Sequence, residues 1–375
     1  MTMKDNKSSE IIPFGDLTRS KDSAFQAVQS VLESGKLIGG YYVEKFEAEM
    51  AKYLETPFLT SVASGTDALT LGLKSLDLPL GSRVLVADNA GGYASIATQN
   101  AGYIPIFCDV NLETALIDLE NILKIDQKFS AIIVTHLYGK MANVEEIVEW
   151  AAKHGIFVIE DCAQSIGAKS NGKYSGTIAH IGCFSFYPTK NLSGIGDGGA
   201  ICTNDEKLFR RIKALKQYGW EKRYFSEFFG GQNSRLDAIN ASVLSFRLAN
   251  LNQNNEKRRQ IHFRYANSFK KGAANSLFSR QNSFSDVFHL SVFRVNKPQI
   301  FLDFFMRNGI ECSRHYPFTD SGQPGIHGIL VSKNENANQL CREVVSLPLY
   351  PELNEFEINR VCETIDFWSQ EFANA

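Results

Sequence analysis

Between Phe58 and Phe184 the chain alternates short apolar runs with stretches of helical spacing. The apolar runs are VLVAD from Val84, IPIFCDV from Ile104, AIIVTH from Ala131 and FVIED from Phe157. TDALTLGLKSL, SIATQNAG and NVEEIVEWAAKHG are the helical stretches. Such short apolar runs suit strands buried on both faces. Strand and helix in alternation require helical crossovers between parallel strands. The pattern therefore predicts an α/β fold, a mainly parallel central sheet flanked by helices on both faces.

The flanking sequence extends this frame. KDSAFQAVQSVLE has helical spacing and ends at Gly35, and LIGGYYVEKFEAEMAKYL is a glycine turn feeding an amphipathic helix. AICTNDEKLFRRIKALKQYG reads as a strand followed by a basic amphipathic helix. SRLDAINASVLSFRLANLNQNNEKRRQIHFRYANSF reads as one long helix or two joined helices leading to a smaller unit. That unit is expected to have strands near FHLSVFRV and CSRHYPF, and helices at QIFLDFFMRNG and NEFEINRVCETIDFW. The expected division is a flexible N-terminus over 1–12, a large domain over 13–250 and a small C-terminal α+β domain over 251–375. A chain of 375 residues is long enough for both.

Composition excludes several classes. A net charge of −2 leaves no basic footprint for nucleic acid. No apolar run reaches about 18 residues, so no membrane span is expected. The polar start MTMKDNKSSEIIPFGDL has no apolar signal core. Seven cysteines without paired spacing suggest reduced thiols and a cytoplasmic protein. Cys162 and Cys183 read as small buried hydrophobes.

The densest chemical signal runs from Phe157 to Gly199. Ile156-Phe157-Val158-Ile159 turns acidic at Glu160-Asp161, and the run Ile181 to Tyr187 is followed by Thr189-Lys190 and a glycine-rich turn. An acid and a lysine thus stand where strands meet loops, the place where open α/β sheets bind ligands. A lysine there can form a Schiff base, and a carboxylate there can hold a protonated pyridine nitrogen. Those are the groups a pyridoxal 5'-phosphate (PLP) enzyme needs most. Each has a plainer reading, since Asp161 alone could cap a helix and Lys190 alone could be solvated. Ser64, Gly65 and Thr66 stand where a loop becomes a helix, whose free N–H groups and dipole suit phosphate. A simple N-cap is the alternative there.

Six segments carry a resemblance: SGTDAL at Ser64, HLYGK at His136, VIEDCAQSIGA at Val158, FSFYPTKNL at Phe184, GDGGA at Gly196 and NSRLD at Asn233. In this order the chain resembles the DegT/DnrJ/EryC1/StrS sugar aminotransferase family over roughly residues 35–350. One departure is Asp197, where that family usually has glutamate. The resemblance implies a fold type I PLP-dependent transferase with Lys190 as the Schiff-base lysine, alternating between PLP and pyridoxamine phosphate. It implies Asp161 on the ring nitrogen, Gln164 near the ring oxygen and Tyr93 stacked on the ring. Ser64, Gly65, Thr66 and Ser185 would hold the phosphate, joined by Asn233 from the neighbouring subunit of a homodimer with shared sites. His315 and Tyr316 are expected to face the substrate, and Tyr218, Trp220, Lys222 and Arg223 to meet the nucleotide by stacking and charge. The implied reaction moves an amino group from L-glutamate to a nucleotide-linked keto-6-deoxyhexose for surface-polysaccharide amino sugars. dTDP-4-keto-6-deoxy-D-glucose is the expected acceptor, and the dTDP-linked 3-keto isomer is the alternative. No metal is expected. Related dehydratases replace the lysine by histidine, which Lys190 argues against, and a non-catalytic regulator need not keep Asp161, Ser185 and Lys190 together.

Overall fold

In the computed structural model, residues 11–270, 273–278 and 286–372 are described. An eight-stranded sheet dominates. Its spatial order is Phe58–Val62, Gly199–Thr203, Ile181–Ser185, Phe157–Asp161, Ala131–Thr135, Arg83–Ala87, Ile104–Cys108 and Ile329–Leu330. From Ile181–Ser185 to Ile329–Leu330 every neighbouring pair is parallel. Gly199–Thr203 runs antiparallel to both its neighbours. The sheet is therefore mainly parallel, as the alternation predicts.

The strands are buried on both faces, which is why they read as continuous apolar runs. Val84, Leu85, Val86, Ile132, Ile133 and Val134 are all at 0% exposure. Each such side chain contributes about 1.5–3 kcal/mol of transfer free energy. Helices Gly65–Ser75, Tyr93–Asn100 and Val144–Lys153 follow strands of this sheet. The parallel direction brings Ala87, Thr135, Asp161 and Ser185 to one edge, and the loops that follow Ala87, Asp161 and Ser185 line a cavity there.

Local chemistry fixes the helix ends. Asp205 and Asp237 cap helices Glu206–Leu215 and Ala238–Leu248 through their side chains. The segment from Ser234 forms two helices, Ala238–Leu248 and Leu251–Ser268. The strand expected near CSRHYPF does not form. Ser313 makes one isolated bridge to Ser346, and Tyr316 sits at φ 62°, where a strand cannot continue.

Beyond Leu251 lies a three-stranded antiparallel sheet, Asn275–Ser276, Ser291–Arg294 and Val344–Leu347. This supports a division at residue 250, which we retain as a proposal. Ile329–Leu330 nonetheless returns to pair with Ile106 and Phe107 of the large sheet. At the other end, Ile12 is 2% exposed and pairs with Ile310. Ordered packing thus begins inside the segment expected to be flexible, whose first ten residues lie outside the described ones. Cys162 and Cys183 are free and buried. Among the described residues no helix is long and apolar enough to cross a membrane.

Candidate active site

One cavity of about 930 Å³ opens at the carboxyl edge of the sheet. Ser64, Gly65, Thr66, Tyr93, Asp161, Gln164, Ser185, Lys190, His315 and Tyr316 all line it.

Asp161 ends its strand at 5% exposure. One carboxylate oxygen accepts the Ala163 N–H at 3.1 Å and the other the Thr135 hydroxyl at 3.3 Å. Burial pushes its pKa up, while the Ala163 N–H and the Lys190 charge oppose that shift. Lys190 follows Ile181–Ser185 in a turn closed by its own N–H on the Tyr187 carbonyl, 2.8 Å away. Burial pulls its pKa down to about 8, with Asp161 opposing. A lysine poised in this way is far easier to deprotonate than a solvated one and supplies a minor fraction of neutral amine near neutral pH.

The helix Gly65–Ser75 starts at the same edge, with Ser64 accepting the Asp67 N–H at 3.1 Å. The N-cap reading of Ser64 thus holds. The close approach here depends on glycine, because a Cβ on Gly65 would lie 2.7 Å from the Cβ of Ser185. With no side chain in the way, the helix N-terminus and the Ser185 hydroxyl converge on one anion-sized cup.

The two glycines before Tyr93 also have a physical reason. Gly91 and Gly92 lie at φ 78° and 85°. A Cβ on Gly91 would strike the Tyr316 ring at 2.3 Å. The Gly92 N–H donates to Asp320 at 2.8 Å. Tyr93 itself is 52% exposed and meets Tyr316 edge-on at 6.3 Å. Gln164 donates to the Tyr316 hydroxyl at 2.8 Å and accepts the Tyr138 N–H at 2.6 Å. Tyr316 stacks on Tyr138 at 6.1 Å.

Two histidines share the cavity wall with Lys190. His315 bonds the Ser346 hydroxyl through Nδ1 at 3.0 Å, and burial brings its pKa to about 4. His289, also in the lining, bonds Asn191 Oδ1 at 3.1 Å. The Asn191 amide nitrogen donates elsewhere, to Asn255 and the Val287 carbonyl. Its oxygen is therefore the acceptor, and His289 Nδ1 carries the proton. Burial and the neighbouring Lys190 and Arg258 hold the His289 pKa well below its ordinary value. Both rings are neutral at pH 7.

Five expected residues lie outside the cavity of their own chain. Tyr218, Trp220, Lys222 and Arg223 belong to a hairpin, Trp220–Lys222 with Phe225–Ser226. Tyr218 and Trp220 are 5.0 Å apart, and Arg223 lies over the Tyr224 ring. Asn233 is exposed, although its neighbours Gln232 and Ser234 both bond Asp67 of the helix Gly65–Ser75.

Other lining residues carried no local sequence signal. These include Arg247 and Arg258, together with a strap from Phe14 to Ser20. His136, Glu160 and Cys162 form a further buried group, with potential metal-ligand atoms within 4.8 Å. Their bonds are already committed. Glu160 accepts the N–H groups of Gly176, Ile178 and Ala179 and the Nε2–H of His136. His136 Nδ1 accepts the Ala142 N–H. The group is a hydrogen-bond hub that holds the loop after the Asp161 strand.

A buried acid, a lysine with depressed pKa and a helix N-terminus facing a serine form a donor set that fits PLP. The comparisons with known proteins agree. The family model of the DegT/DnrJ/EryC1/StrS aminotransferase family matches residues 18–366. The dTDP-3-amino-3,6-dideoxy-alpha-D-galactopyranose transaminase of Aneurinibacillus thermoaerophilus is 37% identical, over 95% of this chain and 99% of that protein. The crystal structure of DesV from S. venezuelae superposes with a TM-score of 0.91 at 31% identity, covering 96% of this chain and 99% of that one. The structure of NtdA from Bacillus subtilis with its cofactor PMP superposes at 0.87 and 27% identity, over 98% and 87% of the two chains. The fold is thus that of fold type I PLP enzymes, and with Asp161 and Lys190 at one sheet edge the chain belongs to the DegT/DnrJ/EryC1/StrS aminotransferase family and is a PLP-dependent aminotransferase.

Proposed function

We propose that the protein transfers the amino group of L-glutamate to the C-3 ketone of a dTDP-linked 3-keto-6-deoxyhexose, working in the cytoplasm as a homodimer with shared active sites. The observation that carries this reading is the convergence of Lys190, Asp161, Ser185 and the Ser64–Thr66 helix start on one cavity. PLP, when bound, supplies the electron sink and carries the amino group between the two substrates. Lys190 accepts and returns the migrating proton, because its lowered pKa keeps both protonation states within reach. Asp161 holds the ring nitrogen by charge. Ser64, Gly65, Thr66 and Ser185 hold the phosphate. Tyr93 covers the ring at the cavity mouth. Gln164 acts as a positioning residue, since its amide already holds Tyr316 and the Tyr138 N–H.

The preference for C-3 reverses the order given by the sequence. It rests on the Aneurinibacillus relative, a dTDP-3-amino-3,6-dideoxy-sugar transaminase that aligns along nearly its whole length. The dimer reading rests on exposed residues. Tyr224, Phe225 and Phe229 are 74%, 61% and 89% exposed beside the hairpin, an apolar patch of the kind that marks an interface. Across such an interface Trp220, Tyr218, Lys222 and Arg223 would meet the nucleotide of the partner's site, and Asn233 its phosphate cup. His315 and Tyr316 would face the sugar.

The test is incubation of PLP-loaded protein with L-glutamate and either the 3-keto or the 4-keto dTDP-sugar, followed by NMR of the product. An amine at C-3 is expected. An amine at C-4 overturns the regiochemistry. A protein that gains no visible absorbance with PLP overturns the catalytic reading and favours a regulator.

A further inference from the structure

We infer that Arg258 anchors the carboxylate of the amino donor. The inference rests on the aminotransferase reading above and adds a residue to it. Arg258 projects from the helix Leu251–Ser268 and is 6% exposed. It lines the same cavity as Lys190. Its Nη1 donates to the carbonyls of His289 at 3.3 Å and Leu349 at 2.7 Å. Its Nε is buried without a partner.

Neutral carbonyls are the acceptors that hold this guanidinium. Several other shielded cations in the described residues have an acid. Arg19 pairs with Glu357, Lys216 with Glu47 and Arg294 with Glu343. Arg247, also in the cavity wall, is held by the Ser193 carbonyl and hydroxyl, the Gly194 carbonyl and Ser20. Arg258 forms no ion pair among the described residues. Glu352 lines the cavity and acts on it through space without a bond. A buried charge without a counter-charge is costly, and an incoming anion would relieve that cost. Burial lowers the Arg258 pKa only to about 10, so the group stays cationic at neutral pH.

Position selects the anion. His289 links Arg258 to Lys190, since its carbonyl accepts from Arg258 and its ring bonds Asn191, the residue after Lys190. Arg258 and Lys190 thus open on one cavity and are joined through His289 and Asn191. The phosphate already has its cup at Ser64–Thr66 and Ser185. With the substrate diphosphate assigned to Lys222 and Arg223, the anion left for Arg258 is the carboxylate of an amino acid whose nitrogen would sit beside Lys190. A guanidinium fork suits a carboxylate in bidentate geometry.

The experiment uses PLP-loaded wild type, Arg258→Gln and Arg258→Lys. Stopped-flow decay of the visible absorbance gives each half-reaction separately, with L-glutamate and with the amino-sugar nucleotide. In Arg258→Gln the apparent Kd for glutamate should rise at least about 30-fold, the scale for removing one partner of a buried charged pair. The sugar half-reaction should change by no more than a few-fold, and Arg258→Lys should recover part of the glutamate affinity. Glutarate, which cannot react, should perturb the absorbance of the wild type and lose that effect in Arg258→Gln. L-Alanine and L-glutamine assign the carboxylate. If all three donors weaken, Arg258 holds the α-carboxylate, and if only glutamate does, it holds the side-chain one. Unchanged glutamate affinity, or equal loss in both half-reactions, overturns the proposal. Should the variants fail to hold PLP, a wild-type crystal soaked in glutarate decides, because a carboxylate away from the guanidinium overturns the assignment. A wild type that ignores glutamate would instead count against the donor in the proposed reaction, while the glutarate result still judges Arg258.

Discussion

Lys190 and Asp161 are coupled in opposite directions. Burial disfavours charge on both, so it lowers the lysine pKa and raises that of the aspartate, while each charge partly restores the other. Below about pH 8 the lysine is mostly an ammonium and cannot capture an aldehyde. Above it the neutral amine dominates. The rate of PLP capture by the apoprotein should therefore rise with a midpoint near pH 8, against an ordinary lysine value of about 10.4. Asp161→Asn removes the charge that props this pKa up, so the midpoint should move down. The same substitution should cut turnover at least 100-fold, or ~3 kcal/mol, because a neutral amide cannot stabilise a protonated ring nitrogen. Rapid-mixing absorbance over a pH series and steady-state rates check both. A midpoint that moves up, or turnover within threefold of wild type, would place another group against the ring.

At the scale of elements, the cup depends on how closely the Gly65–Ser75 helix approaches the end of the Ile181–Ser185 strand. Gly65→Ala would put a methyl group 2.7 Å from the Ser185 Cβ and 3.1 Å from its hydroxyl oxygen. The strand sits in the middle of the sheet and cannot yield, so the helix start must move. The expected cost is about 1–3 kcal/mol of stability, as for other overpacked sites. PLP affinity should fall at least tenfold while far-UV circular dichroism stays native. Absorbance titration of the apoprotein measures the first, and affinity within twofold of wild type would remove the helix start from the phosphate site. Gly91 and Gly92 serve a different element. They let the turn before Tyr93–Asn100 pass under Tyr316, whose own left-handed backbone replaces the strand expected from CSRHYPF.

At the scale of the whole molecule, the N-terminal strap ties the two ends of the chain together over the cavity. Ile12 bridges to Ile310, the Phe14 N–H donates to Glu311, and Arg19 makes a two-pronged pair with Glu357. In the proposed homodimer, the residues left outside the cavity of their own chain would serve the partner's site. Lys190→Ala homodimers should be inactive. Asn233→Asp homodimers should lose activity because a negative charge would face the cofactor phosphate. Heterodimers of the two would hold one site with intact Lys190 and an intact Asn233 from across the interface. Co-expression with two affinity tags, followed by purification of the mixed species, should recover up to about half of the wild-type activity per dimer, since one of its two sites is complete. Verified heterodimers without recovery would mean that each site is built from a single chain.

The sequence by itself determined the sheet, the crossover helices and the acid and lysine at the strand ends. These are local properties. Buried parallel strands must be apolar throughout, and Asp161 and Lys190 interrupt that apolarity where the strands stop. It also marked the turn at Ser64, because capping and glycine signals are written within a few residues. Only the tertiary structure decided which distant groups share the cavity. Arg258, His289 and the Phe14–Ser20 strap reach it from helix, loop and N-terminus, and no spacing along the chain encodes that meeting. The strand expected at CSRHYPF does not form because its local pattern is outweighed by packing. Tyr316 fits between Tyr138 and Gly91 only with its backbone turned to a positive φ, a constraint set by residues some 180 to 225 positions away.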